Sequence, residues 1–494
     1  MNNANEPVEA RAAGARGNLG MALLTSGLLF ATLLAVTDLA QAQSAAAPAA
    51  PAAAPVDSSL TIHGITIYGA VDVGLQYQSH GTPESDYFPA GTGELIQKNS
   101  NRSVFTATPS NLGQSKIGLQ GSTELLEGWS GVFKLETFFN PTSGTISDAL
   151  KSIALNNGVP LDRQGTNVDS SIAGQAFGGA AYAGVSSPKF GTLTFGRHTG
   201  LLADGVAKYD PLAASQAFSV IGFSGAAAGG GDTQNRRLDQ SLKYVVKYGP
   251  VRGGGQYQFK EITNQFDAAV PGSASGSAGS AWELDVGFDY AGGSIDAFYM
   301  NKKDAISVSA LSAAQVAGLP ALGFSPSNSL ASTISDNTTY SLMGQYSFGA
   351  PKILFGYEHI EFSNPSTPLG RGTLDIGGYV LAAVNNAAYN NHKVLHIGWA
   401  GVKYSVSSKL DVTGAFYGYH QESFATGANA GCSTTVAAQC SGNLNAVSVV
   451  ADYRFSKRFD IYAGAMWSSV SDGLANGYLN KSTIDPTIGG RFTF

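Results

Sequence analysis

Charge is scarce in this 494-residue chain: Lys, Arg, Asp and Glu make up 13% of it, about half the ~25% usual in soluble domains. That argues against a disordered chain and against a charge-laced coiled coil. Basic residues are the minority, 29 against 35 acidic ones, for a net charge of −6. No polycationic face is therefore available for a phosphate backbone, and nucleic acid is not expected as a partner. Cysteine is nearly absent. Cys432 and Cys440 stand alone, without the CxxC spacing of a zinc site, and two readings of them stay open, a small loop disulfide in an oxidising compartment or two unpaired thiols. Long hydrophobic runs are missing as well. The longest, Met21 to Val36, falls short of the ~20 residues that a spanning helix needs, which excludes a helical membrane protein.

Catalytic signals are equally thin. There is no G-x-S-x-G elbow and no phosphate-binding glycine loop. His392 and His396 mimic a helical metal pair, but on a strand they lie about 13 Å apart at ~3.3 Å per residue. Neither an enzyme, a bound metal nor a cofactor is expected.

What the chain has is an export address, glycine, aromatics and alternation. Arg11 and Arg16 precede the apolar run, and Ala40-Gln41-Ala42 closes it with the small-x-small pattern of a cleavage site, so residues 1–42 read as a secretory signal. Residues 43–58 form an Ala/Pro-rich tether with no large apolar group to pack, expected to be disordered. The whole chain holds 62 Gly and 50 aromatics (25 Phe, 21 Tyr, 4 Trp), and from 59 on they accompany a period of two. Ile65, Ile67, Val71, Val73, Leu75 and Tyr77 share one parity, whereas Thr66, Tyr68, Asp72 and Gln76 share the other, as the two faces of a strand require. Trp282, Leu284, Val286, Phe288 and Tyr290 oppose Glu283, Asp285 and Asp289 in the same way. The pattern predicts about sixteen strands near 62–77, 115–124, 129–139, 180–186, 191–198, 239–248, 251–260, 281–290, 294–301, 338–348, 352–361, 393–405, 409–420, 445–455, 459–469 and 485–494. Very short turns alternate with long loops, among them 78–114, 140–179, 199–238, 302–337 and 362–392.

A soluble sandwich seldom carries its long loops at one end only. In lipid an unpaired backbone amide costs several kcal/mol, so a spanning sheet must close on itself. The expected fold is all-β, a transmembrane antiparallel barrel of about sixteen strands over 59–494, with apolar side chains outside and Lys, Arg, Asp, Glu, Gln and Ser inside.

Several stretches resemble the general porins of Gram-negative outer membranes, in particular the β-proteobacterial type. They are Ile67-Tyr68-Gly69-Ala70-Val71-Asp72-Val73-Gly74, Ser115-Lys116-Ile117-Gly118-Leu119-Gln120-Gly121-Ser122, Ala181-Tyr182-Ala183-Gly184-Val185-Ser186-Ser187, Phe190-Gly191-Thr192-Leu193-Thr194-Phe195-Gly196-Arg197, Ala207-Lys208-Tyr209-Asp210-Pro211, the run Arg237 to Tyr244 and the terminal Phe494. The resemblance implies a homotrimer in the outer membrane, in contact with lipopolysaccharide, assembled by machinery that reads the C-terminal Phe494. It also implies that the third long loop, about 200–234, folds inward to narrow the lumen opposite a basic wall. Lys116, Arg237 and Arg491 match basic positions of that wall. Gly179 and Gln120 stand where the family commonly has basic residues, and no acid occurs between Asp210 and Asp232, so the transverse field is expected to be weak.

The pore-lining set expected from parity and resemblance is Asp72, Lys116, Lys134, Glu136, Tyr209, Asp210, Arg237, Lys243, Arg252 and Arg491. Lys116 and Lys134 read either as constriction residues or as solvated wall, and Arg237 either as constriction or as a loop-end charge. Arg197 reads as a subunit contact or as a solvated rim residue. Tyr209-Asp210-Pro211 either shapes the loop or is an ordinary turn. The expected function is passive diffusion of small hydrophilic solutes and ions, with weak selectivity of undetermined sign. The alternatives are a substrate-specific channel for sugars or organic acids, to which Phe138, Phe298, Tyr417 and Tyr419 would contribute an aromatic track, and a β-rich surface adhesin.

Overall fold

The computed structural model describes residues 60–81, 95–97, 100–146, 175–221, 236–259, 279–305, 335–366, 393–423, 441–475 and 478–494, with short pieces at 274–275, 307–308, 312–318 and 332–333. The signal segment, the tether, Cys432 and Cys440 lie outside the described residues.

Alternation becomes a closed antiparallel barrel of sixteen strands. They are β1 (Ile65–Gly81), β2 in two segments (Arg102–Pro109 and Lys116–Leu126), β3 (Trp129–Phe138), β4 (Ala180–Ser187), β5 (Gly191–Thr199), β6 (Arg237–Tyr248), β7 (Val251–Gln258) and β8 (Ala281–Tyr290). The circuit continues through β9 (Gly293–Lys302), β10 (Asp336–Ser347), β11 (Pro351–Ser363), β12 (Lys393–Ser405), β13 (Leu410–Gln421), β14 (Gly442–Arg454), β15 (Phe459–Asp472) and β16 (Ser482–Thr493). Each pairs with its sequence neighbours, and β16 closes on β1 with Val71 opposite Phe492 and Gln76 opposite Thr487. The Phe494 backbone completes the seam: its N–H donates to Gly69 O and its carbonyl accepts from Gly69 N, at 3.1 and 2.9 Å. Closure leaves no sheet edge to satisfy in lipid.

The sixteen segments expected from alternation are the sixteen strands observed, with one correction in the first long connection. Residues 78–114 are not all loop. β1 runs on to Gly81, and Arg102–Pro109 pairs with its upper half, Val73 opposite Pro109 and Tyr77 opposite Phe105. The lower segment of β2 pairs with the first half of β1, Ala70 opposite Lys116. β2 is thus one strand interrupted at 110–115, and that stretch carries no alternation by which to join its halves.

Parity sorts the outer surface as expected. Exposed large side chains include Leu75, Phe105, Val286, Phe288, Leu342, Phe416, Val449 and Ile488. Aromatic pairs gather near both strand ends, Trp282 with Tyr299 at 4.6 Å toward the long loops, and Tyr346 with Phe348 at 4.5 Å and Tyr453 with Phe455 at 5.0 Å toward the short turns. Two such belts bracket an apolar band, the exterior of a membrane barrel.

The interior departs from the expectation of a uniformly polar lining. From β9 to β15 the inward face carries a continuous apolar stripe, including Met300, Ile360, Leu395, Ile397, Trp399, Tyr417, Leu444, Val450 and Met466. It packs with Leu95, Ile96, Leu212, Ala217, Phe218, Val220 and Ile221, so the barrel has a hydrophobic core inside it. Alternation cannot reveal this, because a strand covered on both faces reads as a broken pattern.

Candidate functional site

After β5 the chain turns into the barrel as helix α1 (Leu201–Tyr209). Leu202, Val206 and Tyr209 recur at helical spacing and face the wall, all buried, while Asp204 points the other way. Gly200 provides no side-chain cap. The orphaned N–H of Leu202 instead donates to Glu283 Oε2 on β8 at 2.9 Å, and an acid at a helix start also suits the helix dipole. Gly205 has a specific reason to be glycine: a Cβ there would collide with the Phe298 ring.

At the far end, Tyr209 donates its hydroxyl to Asp296 Oδ2 at 2.5 Å, and its carbonyl accepts from Trp399 Nε1 at 3.1 Å. Asp210 then ties a turn, accepting from Leu212 N (3.2 Å) and Ala214 N (2.7 Å), with Tyr417 Oη donating to it from the adjoining wall at 2.6 Å. Ala213 and Ala214 both take left-handed backbone, φ 53° and 56°, a conformation costly for a residue with a Cβ and held here by these bonds. Further on, the Phe218 carbonyl accepts from Ser448 Oγ (2.7 Å), the Val220 carbonyl from Tyr419 Oη (3.2 Å), and Ala217 N donates to Asn111 O (2.9 Å). Residues 201–221 therefore run along the inside of the wall between β8 and β15, with Ala217 touching the interruption in β2 and the chain returning to β14 and β13. Burial pushes the Asp210 carboxyl above its ordinary range and lowers Lys208, although Asp296 lies 2.9 Å from that ammonium and works in the opposite direction.

Opposite this filled half, the inner faces of β1 to β6 are left uncovered by the described residues. A cavity of about 620 Å³ lies between them and α1, lined by Lys134, Glu136, Tyr182, His198, Lys243 and Asp204 among small polar groups. Glu136 accepts from Tyr68 Oη at 2.9 Å and lies 3.4 and 3.6 Å from the ammonium groups of Lys116 and Lys134. Across the cavity, Lys243 Nζ meets Asp204 Oδ2 at 2.6 Å. Arg197 and Arg237 stand behind this surface, Arg197 paired with Asp239 at 2.6 Å and Arg237 donating to Gly179 O at 3.1 Å above the Phe138 ring. The wall thus places five cations, Lys116, Lys134, Lys243, Arg197 and Arg237, around three acids, Glu136, Asp204 and Asp239.

Of the residues expected to line a pore, Lys134, Glu136 and Lys243 converge on this cavity, and Lys116 adjoins it. The others go elsewhere. Asp72 is fully buried and accepts from Leu112 N, Gly113 N and Tyr462 Oη, holding the interruption of β2 in place. Arg252 pairs with Asp296 (2.6 Å) beside Lys208, and Arg491 with Asp460 (2.7 Å). Arg237, Tyr209 and Asp210 are buried fasteners rather than exposed lining. Arg197, read as a partner for a neighbouring subunit or as a solvated rim charge, is 6% exposed and meets its carboxylate within its own chain. Phe138, Phe298, Tyr417 and Tyr419 are buried too, so no aromatic track is available from them. Sequence reasoning missed Asp204, His198 and Tyr182. Asp204 was legible as the one acid in the first turn of a short amphipathic segment. His198 sits at a bulge where β5 shifts register against β6, which breaks simple parity. Among the described residues, no three His, Cys, Asp or Glu side chains close on one point as a metal centre would.

A wide closed barrel with an apolar exterior, aromatic belts and a segment folded across its lumen defines an outer-membrane channel class. The family model of the Gram-negative porins matches residues 31–473, and the chain belongs to that family, which places the barrel in the outer membrane. An outer membrane porin protein of Bordetella pertussis is 26% identical over 303 residues, covering 59% of this chain and 63% of that relative. Similar solved structures include the anion-selective porin from Comamonas acidovorans (TM-score 0.54, 16% identity, 87% of this chain and 99% of that one). A loop-deleted OmpT of Vibrio cholerae is comparable (TM-score 0.51, 15% identity, 87% and 99%).

Proposed function

We propose that the chain forms a water-filled channel through which small hydrophilic solutes and ions diffuse passively, without chemistry, as a homotrimer embedded among outer-membrane lipids and lipopolysaccharide. The observation that carries this reading is the division of the lumen. One half is filled by 201–221 on an apolar stripe, and the other is left as a polar cavity with charged side chains on both sides. Charges beside a low-dielectric filling act strongly on a passing ion because field lines are focused into the water. At the cavity three cations, Lys116, Lys134 and Lys243, against two acids, Glu136 and Asp204, favour a modest preference for anions, and the ion pairs Lys243–Asp204 and Lys116–Glu136 keep it modest. The buried aromatics remove the sequence feature that pointed to sugars. Planar-bilayer recording tests the proposal. Stepwise conductance, grouped in threes, with a small reversal potential of anion-preferring sign across a KCl gradient is expected; silence in the bilayer, or near-ideal cation selectivity, is incompatible with it.

A further inference from the structure

The filled half of the lumen has an underside. Lys352 on β11 lies directly opposite Lys403 on β12. Both face inward, since they share parity with buried Leu354 and Trp399, whereas the adjacent Ile353 and Val402 are exposed on the outer surface. One step further in, Gly401 makes room for the turn after α1: a Cβ there would collide with the Pro211 ring. The two lysines are therefore the first rung of wall beneath residues 201–221. They stand beside the short turns at 348–350 and 406–409, which in an outer-membrane barrel is the periplasmic end.

Like charges set directly opposite one another repel and cost stability. The neighbouring cations have acids. Asp411 lies 3.0 Å from Lys403 and 2.7 Å from Arg454, and Asp296 lies 2.9 Å from Lys208. Lys352 has no acid partner among the described residues, and the charges that act on it are those of Lys403 and of Lys208 on α1, both positive. Lys208, Lys352, Lys403 and Arg454 thus share Asp296 and Asp411, and Asp296 is further engaged by Arg252 at 2.6 Å. Positive charge is left uncompensated at this rung.

We infer that the rung is a binding site for a small tetrahedral oxyanion of two negative charges, such as inorganic phosphate, held between Lys352 and Lys403 with Lys208 above. Residues opposed in this way bring their Cβ atoms within about 5 Å of one another, so two flexible stems can set their ammonium groups on one anion. Each ammonium is a compact point charge with three donors, suited to phosphate oxygens. Ser347, opposite Lys352 on its other side, adds a hydroxyl. A monocarboxylate would neutralise one lysine and leave the other uncompensated, whereas a dianion neutralises both. The site is separate from the cavity along β1 to β6, where Lys243 and Lys116 already have Asp204 and Glu136. It rests on the channel reading only in that the mouth of the barrel must hold water.

The test titrates inorganic phosphate with the detergent-solubilised protein at mildly alkaline pH, where the dianion prevails, and follows the width of the phosphorus-31 resonance. Saturable broadening is expected, with sulfate competing and acetate at equal ionic strength not. Lys352→Met should raise the half-saturating concentration by about tenfold or more, the scale of removing one close charge near a protein surface, and Lys352→Arg should stay near the wild type. Lys457→Met removes an exposed charge from the turn between β14 and β15 and should bind like the wild type, which separates a built site from general attraction to the mouth. Heat-modifiable migration certifies that each variant is folded. Broadening that does not saturate, or equal half-saturation in folded Lys352→Met and the wild type, overturns the inference. The resonance needs no current, so the two readings fail separately. Saturable binding that depends on Lys352 in a protein silent in bilayers supports the site and overturns the channel; conductance without saturable binding does the reverse.

Discussion

Asp72 illustrates how a residue's parity can be right and its role wrong. It points inward, as alternation says, yet its carboxylate is consumed by two backbone N–H groups of 110–115 and by the Tyr462 hydroxyl. Asp72→Ala leaves those donors buried without a partner, at about 1–3 kcal/mol for each donor stranded. A lower midpoint of heat-modifiable migration is expected, with little change of selectivity in folded channels. Lys243 and Asp204 behave in the opposite manner, since both touch the cavity. Lys243→Met should reduce the anion preference and Asp204→Asn should raise it, read as reversal-potential shifts of opposite sign. Parity identified Lys134, Glu136 and Lys243 because these lie on regular strand. Asp204 escaped because its position depends on α1 folding inward, a tertiary fact with no signature in the strand pattern.

Among the elements, the inward segment is fastened rather than hinged. Tyr209 is bonded to β9 and β12, Asp210 and Val220 to β13, and Phe218 to β14. Asp210→Ala releases the left-handed turn and one wall contact together, and single-channel records of that variant should show added current noise. Gly356→Ala tests the wall itself, because a Cβ there would overlap the Trp399 ring. Displacing the indole breaks its bond to the Tyr209 carbonyl, and a similar gain in noise is expected without any change of charge. Proton linkage adds a further check. Burial raises the Asp210 carboxyl above its ordinary 3.8, so its contribution to stability is complete below that value and is lost as pH rises through the raised one. The melting midpoint of the wild type should therefore fall more than that of Asp210→Ala between pH 4 and pH 8. Strand count and nearly all strand positions were legible from alternation. The inner apolar stripe and the halves of β2 were not, the first because both faces of those strands are covered, the second because 110–115 leaves the ladder to meet Ala217.

For the molecule as a whole, two hydrophobic contacts hold one sheet, the lipid outside and residues 95–96 and 212–221 inside. Excising 212–220 should raise single-channel conductance and also lower thermal stability, since it exposes Trp399, Leu444 and Met466 to water at roughly 25 cal/mol per Å² of apolar surface uncovered. A loop that merely hung in the lumen would give the first effect without the second. The filling has a geometric corollary. Strand number fixes the width of a barrel wall, but here a solid crescent occupies one side of the bore, and the route for ions is pushed off the cylinder's axis against β1 to β6. A solute threading this protein is steered by an eccentric slot, so the charges that sort it belong to less than half of the staves.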